Sequence, residues 1–300
     1  MSLVTREPPA AAPGFGRLSA DHREALRSPL LLTGAAMLGL FLFVALAAPL
    51  IAPFSPRAIS GPSFAHPSTT HLLGTDGAGG DIASQVIWGT RTSMTVAVAG
   101  ASLAVGLGIV VGVGAAMVGG IVDTVAMRVI DMFLALPGLV LAILVVTLVG
   151  PSQTILILVV AQAGWPQIAR VLHSQTLTTR ERGFVGAARS FGGGPSYLVR
   201  RHLAPAIGPL IVARWVDWAG VAVVLESGLA FLGLGDPVHA SWGTVLDHAF
   251  AHQGLLFTNT WVWWVVPAAL AITALVIAFS LVGIGLEPLF NPRWARGSQP

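Results

Sequence analysis

The chain has 300 residues, of which 54% are hydrophobic and only 10% charged. Soluble domains carry roughly 25% charged residues, so most of this chain is expected to be dissolved in lipid. It has no cysteine and no lysine, which excludes disulfides, thiolate metal sites and cysteine nucleophiles, and also the phosphate-binding lysine of a P-loop and a Schiff-base lysine. The net charge of +3 is small and scattered, which argues against a nucleic-acid partner.

Residues 1–28 are polar, with Pro8, Pro9, Pro13 and seven charges, and read as a disordered tail. No convincing signal-peptide cleavage site follows, so the first apolar run is expected to be a retained helix. A helix needs about 20 apolar residues to cross roughly 30 Å of hydrocarbon, and six segments meet that demand. They are residues 30–52, 92–118, 129–149, 153–171, 207–230 and 261–286. The third and fourth are separated only by Gly150-Pro151-Ser152-Gln153, a hairpin turn. Residues 54–91, rich in Pro, Gly, Ser and His, are too polar for lipid, as are residues 172–205. Residues 291–300 form a short terminal tail. The expected fold is all-α and polytopic, with a permeable-looking set of small residues in the second span: Gly108 and Gly112 sit one turn apart and permit close helix packing. Trp261, Trp263 and Trp264 open the last span as an interfacial aromatic cluster.

Arginine placement sets the orientation. With a cytoplasmic N-terminus, fourteen arginines fall on inside segments, and only Arg57 and Arg91 fall outside. The positive-inside rule then puts both termini in the cytoplasm.

The loop of residues 172–205 is long enough to do more than connect two spans. It contains Arg182-Gly-Phe-Val-Gly-Ala-Ala-Arg-Ser-Phe-Gly192 and then Tyr197-Leu-Val-Arg-Arg-His-Leu-Ala-Pro205. Ala187 and Ala188 offer a flat helix face to a cytoplasmic partner, Gly192 suits a helix end, and Pro205 fixes the start of the next helix. A basic loop binding anionic lipid through Arg200 and Arg201 is the alternative on spacing alone.

This segment resembles the EAA loop of ATP-binding-cassette (ABC) import permeases. More narrowly, the chain resembles the second permease of dipeptide, oligopeptide and nickel uptake systems. The resemblance rests on Arg27-Ser-Pro-Leu, Leu73-Gly-Thr-Asp76, Gly80-Asp81, Trp88-Gly-x-Arg91, Gly119-Gly-x-Val-Asp123, Met127-Arg128, Asp131, Ala135-x-Pro137, the stretch Leu225 to Gly235, Ser241-Trp-Gly243 and Asn291-Pro-Arg293. It runs in order through all six spans. It implies the type I importer permease fold in an inner membrane, a heterodimer with a homologous permease, two cytoplasmic ATP-binding subunits that hold ATP and Mg, and an extracytoplasmic substrate-binding protein. No cofactor is expected in this chain, and no catalytic residue. The coupling residues it implies are Gly186, Ala187, Ala188, Arg189, Gly192 and Pro205. Gly186 departs from the family pattern, which has glutamate there; glycine costs roughly 1 kcal/mol of helix propensity relative to alanine and removes a carboxylate.

Four further groups carry chemistry. Arg128 and Asp131 have the spacing of an i,i+3 ion pair. Asp217 and Glu226 lie on opposite helix faces and do not form a carboxylate pair. Glu226 is a candidate pathway residue, with a helix-packing hydrogen bond as its alternative role. Asp247, His248 and His252 are the one candidate metal cluster, since residues four apart on a helix share a face; Asp236 and His239 precede them in the same external loop. The cargo expected is a peptide, with nickel as the alternative. A stand-alone secondary transporter would need midplane charges and an internal repeat, and a membrane-embedded enzyme would need clustered nucleophiles or ligands. Neither pattern is present.

Overall fold

The computed structural model describes residues 28–181, 192 and 194–290. Every regular element among them is helical, and β-structure is limited to two isolated bridges, Ile59 with Gly80 and Thr75 with Asp81. Five helical segments are long and apolar enough to cross a membrane, and a bent helix pair makes a sixth. The expected all-helical, polytopic architecture therefore holds.

Helix α1, Pro29–Ile51, starts on a proline whose missing N–H costs nothing in a first turn. Leu40, Phe43, Leu46 and Leu50 on its outer face are exposed, as a lipid-facing helix requires. Its inner face closes on the last helix, α10 (Thr260–Phe290): a Cβ added at Gly34 would stand 2.8 Å from the Val282 backbone nitrogen.

Helix α2, Ile82–Gly108, starts well before the apolar stretch at Thr92. Asp81 caps it, accepting from the Ser84 N–H at 2.8 Å and the Ser84 hydroxyl at 2.7 Å, while His71 Nδ1 lies 2.9 Å from its other oxygen. Ser84 and Gln85, whose polarity disguises the helix in the sequence, are buried under a cap formed by residues 52–81. In that cap Asp76 accepts from the Ala78 and Gly80 amides and from Gln85. Helix α2 continues through a π-helical turn, Ile109–Val113, into α3, Gly114–Val118, and the chain reverses at Gly119 and Gly120, both at positive φ.

The third expected span is not one rod. It consists of α4, Gly120–Ala135, and α5, Gly138–Val149, bent 82° apart. Pro137 has no N–H to continue the ladder and drives Leu136 into an extended conformation, ψ 133°. Gly150, at φ 97°, then makes the turn, and Ser152 caps α6, Gln153–Arg180. This helix runs past the apolar boundary at residue 171, because His173, Thr176 and Thr179 are buried against protein rather than lost to water. Its packing on α2 depends on absent side chains: a Cβ at Gly108 would meet Ile168 at 2.6 Å and one at Gly112 would meet the Ala169 carbonyl oxygen at 2.2 Å.

After the break come α7, Pro195–Leu198, a π-helical turn at Val199–Leu203, and α8, Ala204–Leu229, which ends in a second π-helical turn at Ala230–Leu234. Gly233, at φ 77°, stops it. Helix α9, Trp242–Phe250, opens on a capping box between Ser241 and Thr244. It buries Trp242 completely, with the indole N–H donating to the Val86 carbonyl at 2.9 Å.

Candidate functional site

The segment expected to meet a cytoplasmic partner is only bracketed. Gly186, Ala187, Ala188 and Arg189 lie outside the described residues. On the entry side, α6 delivers Arg180, whose guanidinium donates to the Ala116 carbonyl at the end of α3. On the exit side Gly192 has φ 84°, a left-handed position that suits glycine. Leu198 and Leu203 are buried, and Pro205 stands in the first turn of α8.

Glu226 does not line an open passage. It is fully buried; Ser93 Oγ of α2 donates to its Oε2 at 2.9 Å, and the hydroxyls of Ser227 and Ser241 are its other polar neighbours. Asp217, by contrast, is half exposed, 3.5 Å from Arg214.

At the end of the bundle that carries the cap, a cavity of about 460 Å³ is lined by Arg57, Asp76, Asp236, His239, Asp247 and His248 among others. Asp236 organises its rim. Burial of this carboxyl opposes ionisation, but hydrogen bonds from His239 and from the Val238 and Gln153 amides outweigh that and hold its pKa below the ordinary value. The Arg57 guanidinium donates to the Pro237 carbonyl at 2.9 Å, joining the cap to this loop. The proposed sharing of one ion by His248 and His252 is not realised. Helix α9 ends at Phe250, so the two histidines do not share a helix face. His248 faces the cavity, while His252 stacks on Phe64 with ring centroids 4.3 Å apart. Among the described residues, no group of three or more His, Asp or Glu side chains is placed to hold a metal ion.

The half away from the cap holds contacts that spacing did not reveal. Asp131 pairs with Arg170 of α6, not with Arg128 in its own helix. Asp123, one helical turn into α4, lies 2.5 Å from His173 Nε2. An ionisable residue beside an apolar span needs a partner, but the sequence does not identify which.

A bundle of apolar helices with a polar cap at one end defines a polytopic membrane protein. The family described as binding-protein-dependent transport system inner membrane component matches residues 104–296, and the chain belongs to that family. It is 34% identical over 281 residues, covering 93% of this chain and 92% of the relative, to a protein of Brucella suis biovar 1 named as a peptide permease. A second Brucella suis protein, named as a peptide transport system permease, is 33% identical over 87% of this chain and 86% of its own length. The nickel transport system permease protein NikC of Escherichia coli is 34% identical, with 85% of this chain and 91% of that protein covered. The chain is thus a multi-pass membrane permease of an ABC importer.

Proposed function

We propose that the chain forms half of a translocation pathway for di- or oligopeptides, with a homologous permease as the other half. In this reading both termini are cytoplasmic. Residues 172–205 couple the helices to two ATP-binding subunits, which hold ATP and Mg and carry out hydrolysis that this lysine-free chain does not perform, and a substrate-binding protein delivers cargo from outside. The observation that carries the cargo assignment is the match along 93% of the chain to a relative named as a peptide permease. Nickel is the second reading, favoured by the 34% identity to the nickel permease; the separation of His248 from His252 counts against a metal-binding role for that pair.

The test is purification of the chain with its neighbours, followed by reconstitution. Two ATP-binding subunits and a second permease should co-purify, and uptake of radiolabelled glycyl-leucine should require ATP. The Ala188→Arg variant should insert normally but lose about tenfold or more of that uptake, because a bulky cation on the docking face costs a few kcal/mol of contact. An isolated chain active without ATP would overturn the reading, and uptake of nickel but not of peptide would transfer it to the second cargo.

A further inference from the structure

Helix α4 is held to the rest of the molecule in an unusual way. Of its residues only Ile130 is fully buried, inserted into the cluster of Ala104, Ile168, Ala169 and Leu172. Ile121, Val125 and Met132 on the same helix are exposed, Ile121 at 83%. Met127, Phe133 and Leu134 of α4 are partly buried and pack against the same cluster. Two polar ties to α6 join this apolar packing, on either side of Ile130: Asp131 to Arg170 and Asp123 to His173. The second tie is well shielded, with side-chain exposures of 11% for His173 and 26% for Asp123.

Both α6 partners lie in the last turns before Arg180, where that helix enters the segment of residues 182–191. The third polar contact of this region, Arg180 to the Ala116 carbonyl, ties the end of α6 to α3. At the far end of α4 lies the 82° break at Leu136-Pro137; the Leu136 N–H bonds back to the Phe133 carbonyl at 3.3 Å, and Pro137 has no N–H to bond across the break.

We propose that Arg170 and His173 are positioning residues of a transmission joint. They clamp α4 to the end of α6, so that displacement of the coupling segment turns α4 as a rigid lever and changes the angle at Leu136-Pro137, moving α5. The proposal rests on the coupling role given above to residues 172–205, and adds the route by which that motion reaches the membrane.

The chain has no cysteine, so a spin-label pair can be placed without background from this subunit. Val140→Cys on α5 and Leu158→Cys on α6 are both exposed positions. The probe is the distance distribution between the two labels in the intact transporter, with and without ATP and vanadate, and ATP hydrolysis is measured on the same samples. The expected result is a nucleotide-dependent shift in the labelled parent. Arg170→Asp should abolish the shift while hydrolysis stays within about twofold of the parent, and adding Asp131→Arg, which exchanges the charges, should restore it. His173→Ala should diminish the shift in the same way. A shift unchanged in Arg170→Asp, no shift in the parent, or no recovery on charge exchange would overturn the joint. Loss of hydrolysis together with the shift in Arg170→Asp would also overturn it, since that marks a structural role. Failure of the underlying reading looks different: no ATP-binding subunit would co-purify, and no sample would hydrolyse ATP.

Discussion

A carboxyl group sealed inside a helical bundle is tolerated only through the bonds it makes. Glu226 makes its bond to Ser93, 133 positions earlier in the chain, and so links α8 to α2. Glu226→Gln keeps an acceptor for the Ser93 hydroxyl and should cost about 1 kcal/mol or less, with peptide uptake little changed. Glu226→Ala leaves that hydroxyl unpaired beside a new void and should cost about 3 kcal/mol. Thermal unfolding of the detergent-solubilised complex separates the two, and selective loss of uptake in Glu226→Gln would return the residue to the pathway. Asp236 gives a pH-dependent counterpart. Its folded pKa is depressed, so its stabilising contribution is present above the ordinary carboxylate pKa and is lost as pH falls through the lower folded value. Asp236→Ala should therefore lower the unfolding temperature at neutral pH, at a cost of about 2 kcal/mol, and the gap to the parent should close only below about pH 4.

Between elements, geometry decides which glycines are structural. At Gly112 a Cβ would overlap the Ala169 carbonyl, whereas at Gly106 no heavy atom lies within 4 Å. Gly112→Ala should force α2 and α6 apart and cost about 1–3 kcal/mol. Gly106→Ala, on the same helix, should be neutral or stabilise by up to about 1 kcal/mol through helix propensity. Equal amounts of folded protein from both variants would show that the close approach is dispensable. That contact was legible in the sequence, since the spacing of Gly108 and Gly112 points to close packing. The start of α2 was not, because Ser84 and Gln85 look like loop residues until the cap that buries them is known. The end of α6 was missed for the same reason: Thr176 and Thr179 are polar, yet they are satisfied by carbonyls one turn back and buried. Apolar run length measures contact with lipid, and a helix that leaves the lipid to pack against protein escapes it. Pro137 was visible, but a proline does not state an angle. Asp131 was assigned the wrong partner because Arg128 is near in sequence while Arg170 is near in space.

For the molecule as a whole, the transport assignment and the direction of coupling depend on which end of the bundle faces the cytoplasm. The helices alone do not settle it, since a bundle inverted in the membrane has the same internal contacts. The arginines are the asymmetric feature. Arg170, Arg180, Arg200 and Arg201 gather at the end where α6 and α8 meet the proposed coupling segment, while Arg57 belongs to the opposite cap. Cationic side chains are retained on the cytoplasmic side during insertion. Because the chain has no cysteine of its own, Ser190→Cys in the coupling segment and Leu72→Cys in the cap, the latter 66% exposed, give one reporter for each face. A membrane-impermeant maleimide applied to intact cells should label Leu72→Cys at least about tenfold faster than Ser190→Cys, and inside-out vesicles should reverse the order. If Ser190→Cys is the one labelled from outside, the segment cannot reach a cytoplasmic ATPase. The joint between α4 and α6 would then have no motor to drive it, and the outer cavity would open toward the cytoplasm instead of toward a binding protein.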